Sequence, residues 1–368
     1  MPALSSAVWA ACLLAALAGA GAAELFPRGL APVDAGLPAA ARGALSARSC
    51  GGCHADVHAD WAQSRHGRAW TNAIFQREYK DRPLAWCVHC HAPLREQVEE
   101  VRRGGGALAD EGVTCAACHL RGGRMLARRR GAASPHDTDV RADFGGPTFC
   151  AGCHQFNFPI ITTDGTVTGY TEHPMQDTVR QHDAGRFAAR PCLDCHRAGE
   201  GGHLFPGGHD PSMLARAMTL TACRAGGALE VRLTNAGAGH NVPTGDVHRH
   251  LVLRAWRADA PERLQERLFG RRFEPAPDGG KLTVADTTIP TGEVRAVRIE
   301  AAALGGDAAN ISVELRLVYT IDELPFQGRE VAEPTWQTMA TRELRWSSLP
   351  RCGRPSAPPP PGKLASRP

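Results

Sequence analysis

The sequence predicts an α+β fold, with short helices and loops in its N-terminal part and an antiparallel β-sandwich in its C-terminal part. One cysteine–histidine motif recurs through residues 48–222, where glycine and proline interrupt most stretches. Beyond residue 222, several segments alternate apolar and polar residues with a period of two, which is typical of half-buried strands. A chain of 368 residues is long enough for these two parts to be separate domains.

The N-terminus has the pattern of an export signal. Residues 1–23 combine an apolar run with a following stretch of small residues, "AGAGAA", and the run is too short to span a bilayer. We therefore predict a cleaved signal peptide that removes Cys12, with a retained anchor helix as the alternative. Residues 24–47 are rich in alanine, proline and glycine and are predicted to form a linker.

The recurring motif is Cys-x-x-Cys-His, found at residues 50–54, 87–91, 115–119, 150–154 and 192–196. Two thiols at this spacing bond to the two vinyl groups of one haem, and the histidine that follows binds its iron. The motif predicts five covalently attached haem c groups, held by Cys50, Cys53, Cys87, Cys90, Cys115, Cys118, Cys150, Cys153, Cys192 and Cys195. The five proximal iron ligands would be His54, His91, His119, His154 and His196.

Two other uses of paired cysteines fit the sequence less well. Structural zinc sites usually take two Cys-x-x-Cys pairs per metal, whereas this chain has five pairs, each followed by a histidine. A thioredoxin-like redox centre needs one such pair in a βαβ setting. We therefore favour haem.

The spacing of the motifs indicates how the haems pack. The first cysteines of successive motifs are 37, 28, 35 and 42 residues apart, and residues 48–222 give about 35 residues per haem. So short a segment cannot bury each porphyrin separately, so we expect the porphyrins to pack together and form most of the core. This segment is predicted to be a multihaem cytochrome c domain, in which "DVHADWAQSRHGRAWTNAIFQREY" is the best helical stretch.

The C-terminal part, residues 223–352, is predicted to be a β-sandwich. Its strand candidates are "ALEVRLTN", "HRHLVLRAW", "EVRAVRIEAA", "ISVELRLVYTI" and "TRELRW". Cys223 and Cys352 stand at its two ends, and in an oxidising compartment they would pair, the alternative being two free buried thiols. Residues 353–368, "GRPSAPPPPGKLASRP", are predicted to be a disordered tail.

Net charge argues against a nucleic-acid partner. The chain alone carries a formal charge of +4. Each ferric bis-histidine haem adds about −1 through its propionates, so five haems would bring the total to about −1. The basic stretch "RMLARRR" is therefore interpreted as a solvated loop or a contact for a partner or a propionate. No stable membrane span is expected once the signal peptide is cleaved.

More histidines are present than proximal ligation requires. Eleven remain: His58, His66, His89, His136, His173, His182, His203, His209, His240, His248 and His250. Such a surplus favours bis-histidine ligation, which saturates the iron and suits electron transfer.

The stretch "CGGCHADVHADWAQSRHGRAW" resembles the opening of multihaem c-type cytochromes related to the tetrahaem cytochrome c of ammonia-oxidising bacteria. In that family a Trp-x-x-Ser-x-His element follows the first haem motif, and here it falls on Trp61, Ser64 and His66. The stretches "PTFCAGCHQFNFP", "MQDT", "HLFPGGHDPSML" and "TNAGAGHNVPTGD" are similar to pentahaem members with a C-terminal β-domain. The resemblance covers roughly residues 48–345.

The resemblance implies that His66, His203 and His240 are distal iron ligands. His136, in "SPHD", is the candidate for a fourth. The fifth is open between His209 and His173, or that iron has no second protein ligand. If His240 binds a haem of the N-terminal domain, this bond would lock the two domains together, whereas the plainer alternative is that it stabilises its own loop.

The favoured function is electron transfer by an exported protein, periplasmic or extracellular, between redox protein partners or from a membrane quinol-linked donor. The alternative is an oxidoreductase that acts on a small nitrogen or sulfur compound at one open haem. No "CxxCK" motif is present, and no tyrosine lies in a recognisable cross-linking context. Both observations favour the carrier and no catalytic residue is predicted. A sensor or adhesion role for the sandwich would be compatible with electron transfer.

Overall fold

The N-terminal helices form where the cysteine motifs lie. The computed structural model describes residues 31–131, 135–306, 310–319 and 334–353, so the predicted signal peptide and nearly all of the predicted tail lie outside the described residues. On a helix, positions i, i+3 and i+4 share one face, so a helical Cys-x-x-Cys-His motif presents both thiols and the imidazole on one side. The helices are α1 (Ala47–Gly51), α2 (Ala55–Gln63), α3 (Ala73–Asp81), α4 (Ala85–His91), α5 (Arg95–Arg102), α6 (Ala107–Asp110), α7 (Cys115–His119), α8 (Pro147–His154), α9 (Thr178–Asp183), α10 (Leu193–His196) and α11 (Pro211–Ala217).

Local signals begin several of these helices. Thr114 caps α7 by accepting a hydrogen bond from the amide of Ala117, and Asp210 caps α11 through the amide of Met213. Pro147 occupies the first turn of α8, where its missing N–H is not needed. Four motif histidines are the last residues of short helices: His91, His119, His154 and His196.

The best helical stretch of the sequence, residues 56–79, forms two helices rather than one. Helix α2 ends at Gln63 and α3 begins at Ala73, with turns between them. The hydroxyl of Ser64 donates to the carbonyl of Trp61, and a Cβ at Gly67 would lie only 2.5 Å from that same carbonyl oxygen. The chain therefore turns sharply after α2, and this turn carries His66.

Short strands complete the N-terminal part. Strands β1 (Leu120–Arg121), β2 (Arg124–Ala127) and β3 (Thr138–Val140) form one small sheet, and β4 (Gln155–Ile161) pairs antiparallel with β5 (Val167–Asp177). The buried apolar clusters here are small, one around Leu45, Leu94 and Leu120 and another around Trp70 and Val98. The side chains of this part thus build little continuous interior of their own.

The C-terminal part contains two larger antiparallel sheets. One has the order β12–β7–β6 and the other the order β14–β13–β8–β9, and a pair β10–β11 lies beside them. The strands are β6 (Met218–Ala225), β7 (Ala228–Asn235), β8 (His250–Arg257), β9 (Ala260–Phe269), β10 (Arg271–Pro275), β11 (Lys281–Asp286), β12 (Val294–Glu300), β13 (Asn310–Val318) and β14 (Trp336–Arg345). Helices combined with antiparallel sheets confirm the predicted α+β class.

The two large sheets share one apolar core. Leu229, Val231 and Leu233 alternate with polar residues along β7 and are fully buried, as are Leu253 of β8 and Val313 of β13. This is the period-two pattern that the sequence shows, with one face of each sheet turned inward. Strand β6 starts at Met218 and so crosses the domain boundary predicted at residues 222 and 223.

A disulfide bond joins Cys223 of β6 to Cys352, which confirms the predicted pairing. Backbone hydrogen bonds run beside it, from the amide of Arg224 to the carbonyl of Pro350 and from the amide of Cys352 to the carbonyl of Arg224. The end of the described chain is thereby fixed against the first strand of the C-terminal part. Within the described ranges, no helix has both the length and the apolar character needed to cross a membrane.

Candidate haem-binding site

Four motif histidines each face a second histidine at nearly the same distance. The ring centroids are 6.3 Å apart for His54–His136 and His66–His154, and 6.2 Å apart for His119–His203 and His196–His240. An imidazole nitrogen binds a metal ion at about 2.0–2.1 Å, which puts the centroids of two rings on opposite sides of one ion roughly 6.3 Å apart. The spacing of each of the four pairs therefore fits a metal ion bound between its two rings.

The rings are oriented for ligation through Nε2. The Nδ1–H group donates to a backbone carbonyl in five cases, which leaves the Nε2 lone pair free. These bonds are His91 to Ala69 at 2.8 Å, His119 to Leu126 at 2.9 Å, His196 to Pro206 at 2.7 Å, His203 to Gly201 at 2.8 Å and His240 to Asn241 at 2.9 Å. Such anchoring is typical of metal-binding histidines.

Burial keeps several of these imidazoles neutral, which is the form that binds a metal. Burial is the main cause that lowers the pKa of His66 to about 4 and that of His240 to about 4. The pKa of His154 falls to about 3, mainly through burial and further through the charges of His66 and Arg249. At neutral pH these three rings are unprotonated, so no proton competes for their ligating nitrogen.

The Trp-x-x-Ser-x-His element holds His66 in place. The indole Nε1–H of Trp61 donates to the carbonyl of Val113 at 2.8 Å, and the amide of Val113 donates back to the carbonyl of His66 at 2.9 Å. The amide of Gly67 donates to the hydroxyl of Ser64 at 3.1 Å. The turn after α2 is therefore tied to the segment that leads into the third motif, and His66 is set opposite His154.

The distal candidates from the loops are also fixed by side chains far away in the sequence. The amide of His203 donates to the buried carboxylate of Asp60 on α2 at 3.2 Å. The fully buried side chain of Asn235 donates to the carbonyls of His240 at 2.8 Å and Ile289 at 2.9 Å. Sequence reasoning missed Asp60 and Asn235, since only the folded chain brings them to these loops.

We expect Asn235→Ala to lower the free energy of unfolding by about 1–3 kcal/mol, because the carbonyl oxygen of His240 loses its donor and that of Ile289 keeps only the amide of Val242. Denaturant unfolding followed by far-ultraviolet circular dichroism measures this loss. Asn310→Ala is the matched control, since Asn310 is exposed at the start of β13. Equal stability of the two variants would contradict this role for Asn235.

The remaining motif histidine, His91 of the second motif, has a different environment. Its ring stacks on Phe75 with centroids 3.6 Å apart and planes 7° apart. In the described part of the chain, no histidine ring faces His91 at the spacing of the other four pairs. Of the two predicted contenders for the fifth distal ligand, His209 stacks on Tyr319 with ring centroids 3.9 Å apart, and the backbone of His173 bonds to the hydroxyl of Thr171.

Thiols of different motifs lie close to one another. Cys50 of the first motif and Cys115 of the third are close enough to shift each other's pKa, as are Cys150 of the fourth and Cys192 of the fifth. Cys90 of the second motif likewise raises the pKa of Cys153 of the fourth. Groups attached at these cysteines would therefore be close neighbours, and the fourth motif lies near two others.

The comparison with protein families adds to this geometry. Residues 49–120 match the family described as cytochrome c554 and c-prime. These residues hold the first three Cys-x-x-Cys-His motifs and the Trp-x-x-Ser-x-His element. The findings support a multihaem c-type cytochrome. Covalently bound haem c is the cofactor that this assignment implies, and the anchored histidine pairs fit it.

A solved structure has the same fold. The chain is similar to a penta-heme cytochrome c552 from Thermochromatium tepidum, with 20% sequence identity and a TM-score of 0.62. The similarity covers 81% of this multihaem chain and 98% of the other. At this identity the likeness concerns the fold alone. No curated protein matches the chain.

Proposed function

We propose that the protein is an exported electron carrier with five covalently bound haems, four of them ligated by two histidines. The four imidazole pairs at 6.2–6.3 Å are the observation that carries this proposal. Haems bound there would supply one-electron redox chemistry. An iron with two histidine ligands has no free position for a substrate, so it suits transfer rather than catalysis.

The proximity of these thiols supports transfer between neighbouring cofactors. It connects the first motif to the third, and the fourth motif to both the second and the fifth. In addition, the thiols of Cys118 and Cys153 lie close enough for their charges to interact, which connects the third motif to the fourth. We infer a branched arrangement in which the fourth site is the junction.

The proposal extends to the architecture. Residues 48–222 would form the haem domain and residues 223–352 a β-sandwich that contributes His240 to the fifth haem. The stacked arrangement of His196 and His240, with planes 11° apart, supports this bond between the two parts. Redox proteins or a membrane quinol-linked donor would be the partners, in the periplasm or outside the cell.

Haem analysis and paramagnetic resonance test the proposal together. Pyridine haemochrome analysis should give five haems per chain, and the low-temperature spectrum of the oxidised protein should show low-spin ferric signals for the four histidine-paired haems. Two or fewer haems per chain would rule out the haem assignment. A majority of high-spin signals would contradict bis-histidine ligation.

A second candidate function rests on His91. Since no histidine ring of the described chain faces it, the second haem is the candidate open site, at which a small nitrogen or sulfur compound could bind. We expect one high-spin ferric signal among the five haems, and a shift of that signal on adding nitrite or hydroxylamine would favour an enzyme. A high-spin signal that neither compound alters would favour the carrier alone.

A further inference from the structure

Arg249 has no carboxylate within ion-pair distance in the part of the chain that the structure describes, although the charge of Asp246 acts on it. Arg249 directly precedes β8, and its guanidinium donates only a long hydrogen bond, 3.4 Å, to the carbonyl of Thr244. Burial lowers the pKa of Arg249. Removing an unpaired guanidinium from water is unfavourable, so a negatively charged group is expected beside it.

A second cation, Arg65, lies close to Arg249. Arg65 directly precedes His66, and its Nη2 donates to Nε2 of His209 at 3.3 Å. A Cβ on Gly208, the residue before His209, would lie 3.4 Å from Nη1 of Arg249, so both guanidinium groups lie beside His209. An anion bound between two such cations would be stabilised by both of them.

His209 and Tyr319 pack together next to these arginines. The imidazole of His209 stacks on the ring of Tyr319, whose hydroxyl donates to the carbonyl of Gly208 at 2.6 Å. Burial, followed by the charges of Arg65 and Arg249, lowers the pKa of His209 to about 3. The imidazole is therefore a neutral acceptor for Arg65 and adds no third positive charge.

The positions of Arg65 and Arg249 indicate which anion they bind. Arg65 directly precedes His66, whose ring faces His154 of the fourth motif with centroids 6.3 Å apart. We propose that Arg65 and Arg249 bind the propionate carboxylates of the haem attached at the fourth motif, with His209 and Tyr319 positioning Arg65. This inference rests on the proposed haem binding, and it gives His209 a role other than iron ligation. Guanidinium groups suit carboxylates because they offer paired donors.

The two arginines should raise the reduction potential of that haem. Ionised propionates stabilise the ferric form, and a guanidinium cation beside them offsets this effect. In Arg249→Gln and in Arg65→Gln, we expect one of the five haems to become harder to reduce by about tenfold in its equilibrium constant. For one electron this is a shift of about 59 mV to lower potential. Spectropotentiometric titration measures it.

Control variants separate a specific site from general electrostatics and from misfolding. Arg249→Lys keeps the charge and should restore most of the potential, whereas Arg267→Gln removes an exposed arginine of β9 and should leave all five potentials unchanged. Pyridine haemochrome analysis must still give five haems in each variant. Two or fewer haems per chain in the wild-type protein would refute the underlying haem assignment rather than the role of the arginines.

Three results would overturn the proposal. The first is unchanged potentials in both Arg249→Gln and Arg65→Gln with five haems present. The second is an equal shift in Arg267→Gln, which would reflect only the net charge. The third is a wild-type potential that follows the concentration of added phosphate, because the arginines would then bind a soluble anion rather than propionates.

Discussion

His240→Ala should convert one of the five haems from low-spin to high-spin and weaken the attachment of the C-terminal part. His240 faces His196 with centroids 6.2 Å apart, and its Nδ1–H is bonded to the carbonyl of Asn241, so under the proposed ligation the substitution would remove the second nitrogen ligand of one iron. Low-temperature paramagnetic resonance should show one new high-spin ferric signal. Limited proteolysis should cleave the variant faster than the wild type between residues 197 and 217, because the bond that crosses to the β-sheets is lost.

His250→Ala is the matched control for this experiment. His250 also lies at the start of the C-terminal sheets, but its Nδ1–H bonds to the carbonyl of His248 and its ring faces none of the motif histidines in the described chain. The paramagnetic resonance spectrum and the rate of limited proteolysis of the His250→Ala variant should equal those of the wild type. If His240→Ala keeps all wild-type low-spin signals, His240 is no ligand and serves only its own loop.

Cys223→Ser should lower the free energy of unfolding of the C-terminal part by about 2–5 kcal/mol, since the disulfide closes a long loop. The bond joins residues 129 positions apart and fixes Cys352 to the first strand of the sheets. Denaturant unfolding followed by far-ultraviolet circular dichroism gives the difference in free energy. Trp346, which is buried close to this end of the chain, should become exposed earlier in the transition.

Reduction of the wild-type protein provides the control for this variant. A thiol reductant opens the Cys223–Cys352 bond but leaves thioether bonds intact, so the reduced wild type should match Cys223→Ser in stability and keep its haem content. A stability loss below about 0.5 kcal/mol, the size of an ordinary surface substitution, would contradict a stabilising role for the disulfide.

Among the described C-terminal strands, β7, β8, β12, β13 and β14 could be predicted from the sequence, whereas β6 was missed although one of its faces is buried. "ALEVRLTN" forms β7 over its full length because apolar residues alternate with polar ones across a buried face. In contrast, β9 was not predicted, because it is an edge strand whose residues are mostly exposed. Its pairing with β8 comes from backbone hydrogen bonds, which leave no periodicity in the side chains.

The residues of the candidate site also differ in whether the sequence alone identifies them. The five Cys-x-x-Cys-His motifs are local patterns, so the sequence alone identifies them. The facing histidines lie far from their partners, for example His203 opposite His119, and were inferred through a family resemblance. Asn235 and Arg249 carry no sequence signal, because one acts through a hydrogen bond to a distant loop and the other through a charge that the fold isolates.

The proximity of thiols of different motifs imposes an order on maturation. Cys50 lies near Cys115, Cys150 near Cys192 and Cys90 near Cys153, so a folded chain without cofactors would hold three pairs of sulfur atoms that could be oxidised. If the chain is exported as proposed, an oxidant outside the cytoplasm could join each pair into a wrong cross-link and block two haem-attachment positions at once. Productive assembly therefore requires that these cysteines stay reduced until ligation, or that ligation takes place before the chain folds.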